Sequence, residues 1–118
     1  FFIPSIYKKF LTNNFLKLDN IDHIRDFIDI RDIYSAIKFL YLKKSRGIYN
    51  LGSGKSIPLI KIVEHFANLF KKKYIINKPN KQTKHVANLS KIIKLGWKPK
   101  ISIAKILNDY HLNFKKKV

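Results

Sequence analysis

The chain has 118 residues, a formal net charge of +18, 46% hydrophobic residues and no cysteine or methionine. That length holds a single domain, 1–118, with a modest core. The apolar content argues against disorder, and the lack of cysteine excludes a disulfide framework and a thiolate metal site. No apolar run approaches the roughly 20 residues of a membrane-spanning helix, and Phe1-Phe2-Ile3-Pro4 lacks the start of a signal peptide. A chain that opens on Phe1 without any Met reads as a piece of something longer.

Pro4 suits a first helical turn, and Ile6, Phe10 and Leu11 share a face, which predicts a helix over about 4–13. Residues 15–18 form a short strand candidate with a turn at Asp19-Asn20. A second strand candidate holds Phe27-Ile28. Asp29 or Asp32 caps a helix running to about Lys43, with Ile33, Ile37, Leu40 and Tyr41 as its apolar stripe. Ile48-Tyr49-Asn50-Leu51 is the next strand, and Gly52-Ser53-Gly54 the turn after it. Ser56 is the candidate cap of a helix over about 58–70 that buries Leu59, Ile62, Val63, Phe66 and Leu69 or Phe70. Tyr74-Ile75-Ile76 is a strand, and 78–84 a polar connection. A short helix over 89–95 stops at Gly96. Ser102 caps a last amphipathic helix with Ile103, Ile106, Leu107, Tyr110 and Phe114, followed by a solvated tail, Lys115-Lys116-Lys117.

A charge of +18 ordinarily points to nucleic acid or an anionic surface. Only Arg25, Arg31 and Arg46 of the 25 basic residues are arginines, whereas base readout and phosphate gripping favour arginine. Nucleic acid is therefore not the expected partner, and a lysine-rich nucleic-acid or polyanion-binding domain is the alternative reading. Gly52-Ser53-Gly54-Lys55-Ser56 fails the phosphate-loop spacing, because only Ser53 separates the first Gly from Gly-Lys. No third glycine completes a dinucleotide-binding turn. It reads as a tight strand-to-helix turn, at most a weak anion site. Tyr34 and Lys38 match a Tyr-x-x-x-Lys spacing, but Tyr34 is assigned to packing, partly buried with a wet hydroxyl. His23, His65, His85 and His111 are too scattered for a metal site. Trp97 is a packing anchor. Arg25 is the strongest site candidate, because a planar guanidinium just before a strand can grip a diphosphate bidentately; a local salt bridge to Asp22 or Asp26 is the alternative.

The Arg25-Asp26-Phe27-Ile28 segment, the Tyr49-Asn50-Leu51-Gly52 segment and Leu95-Gly96-Trp97-Lys98-Pro99, in that order, resemble the C-terminal part of a nucleotide-sugar epimerase/dehydratase of the extended short-chain dehydrogenase/reductase family. The resemblance covers Ile3 to about Tyr110. It implies a small mixed α/β fold, with the Rossmann half that binds NAD or NADP in the complete enzyme largely absent, so that this part alone binds no cofactor and holds no catalytic pair. It also implies a nucleotide-diphospho-sugar substrate, a cytoplasmic location, no membrane, and a missing N-terminal Rossmann half or partner chain. Arg25 matches the arginine that contacts the diphosphate in several members, and Lys84 adds charge nearby. Pro4 lies in a segment whose neighbours line the base pocket, and Leu16 and Leu18 are candidates to pack on the base. Asp32 matches a structural acid. Asp29 and Arg31 stand where the family more often has an aromatic or His and an acid. Alone, the piece is expected to be marginally stable, with an open strand edge at 48–51.

Overall fold

The computed structural model describes residues 1–78 and 81–116. Residues 79 and 80 of the expected polar connection and Lys117 of the expected tail lie outside the described residues. The elements run α1 (Phe2–Thr12), β1 (Phe15–Asp19), β2 (Ile24–Arg25), α2 (Ile30–Leu42), β3 (Ile57–Pro58), α3 (Leu59–Phe70), β4 (Lys73–Lys78), β5 (Lys84–His85), α4 (Ser90–Leu95) and α5 (Ile103–Lys116). Contacts divide the chain into two compact units, Phe1–Ile24 with Ile57–Lys84, and Arg25–Ser56 with His85–Val118. The mixed α/β class is as expected, in two small sheets ordered β1-β4 and β3-β2-β5.

In the first unit, α1 turns Ile6, Tyr7 and Phe10 inward, and α3 turns Leu59, Ile62, Val63, Phe66 and Ala67 inward. Tyr7 meets Phe66 and Phe70 edge-on, both with ring centroids 5.3 Å apart, an arrangement that suits the ring quadrupoles. Phe10 stacks on Phe70. β1 pairs in parallel with β4 from Phe15↔Lys73 to Leu18↔Ile76, and a register shift follows before Asp19↔Lys78. A parallel pair needs a crossover, and the intervening chain, including α3, supplies it. Strand alternation then sends Leu16 and Leu18 into the core and Phe15, Lys17 and Asp19 outward. Asn20 makes the expected turn with φ of 59°, a conformation that asparagine tolerates.

In the second unit, Ala36, Leu89, Ile92 and Trp97 form the buried cluster, with Ile28, Phe39, Leu40, Tyr49, Leu51 and Ala87 packed against it. The Trp97 indole N–H donates to Ser35 Oγ at 3.1 Å. Asp29 caps α2 by accepting from the Arg31 N–H at 2.8 Å. Gly96 stops α4 with φ of 112°, where any Cβ would be strained. Ser102 Oγ accepts from the Lys105 N–H at 3.2 Å, the expected cap of α5.

Several expectations are corrected. The second strand is Ile24–Arg25, not Phe27-Ile28. Residues 48–51 form no strand. There the Ile48 carbonyl accepts from Lys91 Nζ at 2.7 Å, the Lys91 ammonium stands over the Tyr49 ring, and Tyr49 and Leu51 pack on the core, so side chains hold this segment instead of a ladder. α3 starts after Pro58 without a side-chain cap, so Ser56 does not cap it. Its N-terminal Leu59 N–H instead finds the His23 carbonyl at 2.9 Å. Of Leu69 and Phe70, it is Phe70 that packs inward, on Tyr7 and Phe10, while Leu69 is exposed, and Ala67 is buried as well. On α2 the buried residues are Asp32 and Ala36, while Tyr34, Ile37 and Tyr41 are exposed. No described helix is long and apolar enough to cross a membrane.

Phe66 is fully buried, whereas Tyr41 is 80% exposed. Phe66→Ala should therefore cost about 3–5 kcal/mol in urea melts, and Tyr41→Ala no more than about 0.5 kcal/mol. Equal losses would contradict this division of core and surface.

Candidate functional site

The Gly52-Ser53-Gly54 turn binds an anion, and that anion is Asp26. Its Oδ1 accepts from the Ser53 N–H at 2.7 Å and the Ser53 hydroxyl at 2.6 Å. Its Oδ2 accepts from the Gly54 N–H at 2.9 Å and the Ala87 N–H at 3.1 Å. The turn's donors are therefore spent on the protein's own carboxylate. Burial pushes the Asp26 carboxyl up, but these hydrogen bonds, led by Ser53, outweigh it and hold its pKa below the usual range. A Cβ on Gly52 would lie 2.6 Å from the Ala87 Cβ and 2.7 Å from Asp26 Oδ2. Only glycine fits there, a close approach rather than a positive φ being the reason.

Asp32 is buried and accepts from the N–H groups of Lys100 and Ile101 at 3.0–3.2 Å, so it anchors the segment ahead of α5. Arg31 grips Asp29 with two hydrogen bonds, at 2.8 and 2.9 Å, and Asp109 with a third at 2.9 Å. Lys105 joins at 3.2 Å from Asp109. The Arg31 guanidinium, foremost, lowers the pKa of both carboxyls, and their hydrogen bonds raise that of Arg31. These exposed pairs tie the start of α2 to α5.

Of the site candidates, Arg25 lies half-buried in β2, at the start of the second unit. Pro4, Leu16, Leu18 and Lys84 lie in the first. Pro4 and Lys84 are exposed. Leu16 and Leu18 are core residues, 3% and 2% exposed. Alternation along β1 turns them inward, and the outward ring on this strand is Phe15, 49% exposed. A groove of about 300 Å³ beside it is lined by Lys9, Asn13, Phe15, Leu16 and Lys17. A second, of about 210 Å³, is lined by Ile21, Asp22, His23, Pro58, Ile60, Ile76 and Gln82. No group of metal-ligating side chains occurs among the described residues. Asp26 escaped sequence reasoning as the turn's partner, because its donors stand 27 and 61 positions away.

No protein-family model matches the sequence, and no curated protein matches it. Solved structures do. RMD from Pseudomonas aeruginosa complexed with NADPH aligns with a TM-score of 0.78 and 25% identity, over 96% of this chain and 43% of that one. dTDP-glucose 4,6-dehydratase from Bacillus anthracis in complex with NAD gives a TM-score of 0.82 and 22% identity, over 98% and 39%. UDP-N-acetylglucosamine 4-epimerase from Methanobrevibacter ruminantium in complex with UDP-N-acetylmuramic acid gives 0.77 and 20%, over 98% and 39%. The chain has part of the extended short-chain dehydrogenase/reductase fold. It spans about two-fifths of the length of these NAD(P)-dependent sugar epimerases, dehydratases and reductases.

Gly52→Ala should destabilise the protein by about 1–3 kcal/mol, as forced overpacking does. Asp26 supplies a pH signature. A carboxyl whose pKa is depressed on folding stabilises the native state above its unfolded pKa of about 3.9, and that stabilisation fades as pH falls through its folded value. The stability gap between wild type and Asp26→Asn should thus be constant above about pH 5 and shrink below about pH 4. A gap that widened with acid, measured by urea melts across pH, would contradict the clasp.

Proposed function

We propose that residues 1–118 act as one domain, the nucleotide-sugar-binding C-terminal part of a cytoplasmic NAD(P)-dependent epimerase/dehydratase, and are catalytically incomplete alone. The observation that carries this reading is the fold match over nearly the whole chain to enzymes named for dTDP-glucose and UDP-N-acetylglucosamine. In this reading the nicotinamide cofactor, held by a Rossmann part outside these residues, oxidises or reduces the sugar carbon. The present residues hold the nucleoside diphosphate and so position the sugar. Arg25 grips the diphosphate with its planar fork, and Lys84 adds a cationic contact. The base lies by Pro4 and the groove at β1, where the half-exposed Phe15 ring can stack and Lys9 and Lys17 supply charge. Leu16, which lines this groove, and Leu18 are the aliphatic candidates to pack on the base.

Residues 1–118 alone should show no turnover with NAD(P) and any nucleotide sugar. In the enzyme that carries them together with its cofactor-binding part, Arg25→Ala should raise KM far more than it lowers kcat, because the diphosphate does not react and is gripped equally in ground and transition states. Losing a charge-assisted bidentate contact corresponds to roughly 2–3 kcal/mol, or about thirty- to a hundred-fold. Arg25→Lys should recover part of the loss, since it supplies charge without the fork. Tyr34→Phe should leave kcat nearly intact. A collapsed kcat in Tyr34→Phe beside a normal Arg25→Ala would overturn the assignment.

A further inference from the structure

Residues 23 and 24 take both backbone polar groups of Thr83. The Thr83 N–H donates to His23 Nδ1 at 3.3 Å, and the Thr83 carbonyl accepts from the Ile24 N–H at 2.8 Å. The Thr83 hydroxyl adds a third contact, 2.9 Å from the same Nδ1. A backbone N–H only donates, so Nδ1 is the lone-pair nitrogen and the neutral ring carries its proton on Nε2. The His23 carbonyl meanwhile accepts from the Leu59 N–H at 2.9 Å, at the start of α3. One half-buried residue thus holds the approach to β5 with its ring and the start of α3 with its backbone. The strands involved are short: β2 and β5 have two residues each. A single hydrogen bond is therefore a large share of what keeps β5 in place, and Lys84 follows Thr83 directly. Among the described residues, the groove beside the His23 ring has one other titratable group, Asp22. The neighbouring elements line it with neutral side chains: Pro58 of β3, Ile60 of α3, Ile76 of β4 and Gln82 ahead of β5.

We propose that His23 is a positioning residue for Lys84 and makes this cationic contact to the diphosphate sensitive to pH. The proposal rests on the reading of the chain as the nucleotide-sugar-binding part. Neutral, the ring accepts the Thr83 N–H and holds β5 and its Lys84 on β2. Protonated, the ring has two N–H donors and no acceptor. The Thr83 hydroxyl can then reverse and accept from Nδ1, but the Thr83 N–H cannot, and two hydrogens meet head-on. Residue 83 must move away, and Lys84 moves with it. Histidine is the side chain that changes its charge between about pH 5 and 8, so the device acts across that range.

Two measurements test it. In residues 1–118, the Thr83 and Lys84 amide resonances are followed by NMR from pH 7.5 to pH 5. They should shift along one titration shared with the His23 ring. In His23→Asn they should stay flat, because Asn Oδ1 stands as many bonds from the backbone as Nδ1, accepts, and does not titrate. In the enzyme that carries these residues with its cofactor-binding part, KM for the nucleotide sugar is measured for wild type and His23→Asn at pH 7.5 and pH 5. Their ratio cancels the titration of every other group. It should be near one at pH 7.5 and rise about two- to fivefold at pH 5, the worth of one exposed hydrogen bond, while the kcat ratio stays level. His23→Ala should raise KM at both pH values. Amides that do not titrate, or an unchanged KM in His23→Ala, would overturn the proposal. A KM ratio that stayed at one would do the same, and a ratio that fell in acid would show the imidazolium attracting the diphosphate instead of releasing Lys84. If any of these occurs while Arg25→Ala still raises KM, the nucleotide-sugar reading stands and only the role of His23 falls.

Discussion

One carboxylate organises the second unit. Asp26 receives four donors from Ser53, Gly54 and Ala87. That clasp brings together a segment after β2, the turn after Leu51 and the approach to α4. A half-buried carboxylate with this many donors stays ionised and is costly to remove, since its donors would be left without their partner. It also explains Gly52, whose hydrogen stands where any side chain would strike Asp26 or Ala87. Asp32 repeats the device at Lys100 and Ile101, and Asp29 repeats it at the start of α2. With only seven acidic residues against 25 basic ones, the chain spends its scarce negative charge on tying backbone in place.

Local signals were legible where local chemistry decided the outcome. Helix faces on α1 and α3, the αL stop at Gly96, the Ser102 cap and the packing role of Trp97 follow from spacing and residue type. Failures occurred where distant partners decided. Ile48–Leu51 has strand composition, yet lysine contacts and core packing hold it without a ladder. The stripe chosen for α2 was wrong in half its members because that helix is apolar on both sides, so periodicity alone cannot say which side faces this core. Asp26 was invisible as a clasp because its donors are far away in sequence.

The high positive charge has a plain use in the proposed function, since lysines around the β1 groove and at β5 raise the local concentration of an anionic substrate. In that proposal, specificity among anions falls instead to the planar fork of Arg25 and the ring of Phe15.

The central claim is that residues 1–118 recognise a nucleoside diphosphate and not polyanions at large. Two-dimensional NMR of the chain, titrated at physiological salt with UDP-glucose, dTDP-glucose and GDP-mannose and separately with duplex DNA, tests it most directly. The account predicts saturable shifts from at least one nucleotide sugar, centred on Arg25 and the Phe15 groove and lost in Arg25→Ala, with DNA binding that vanishes as salt rises. Tight DNA binding at physiological salt, with no response to any nucleotide sugar, would contradict it.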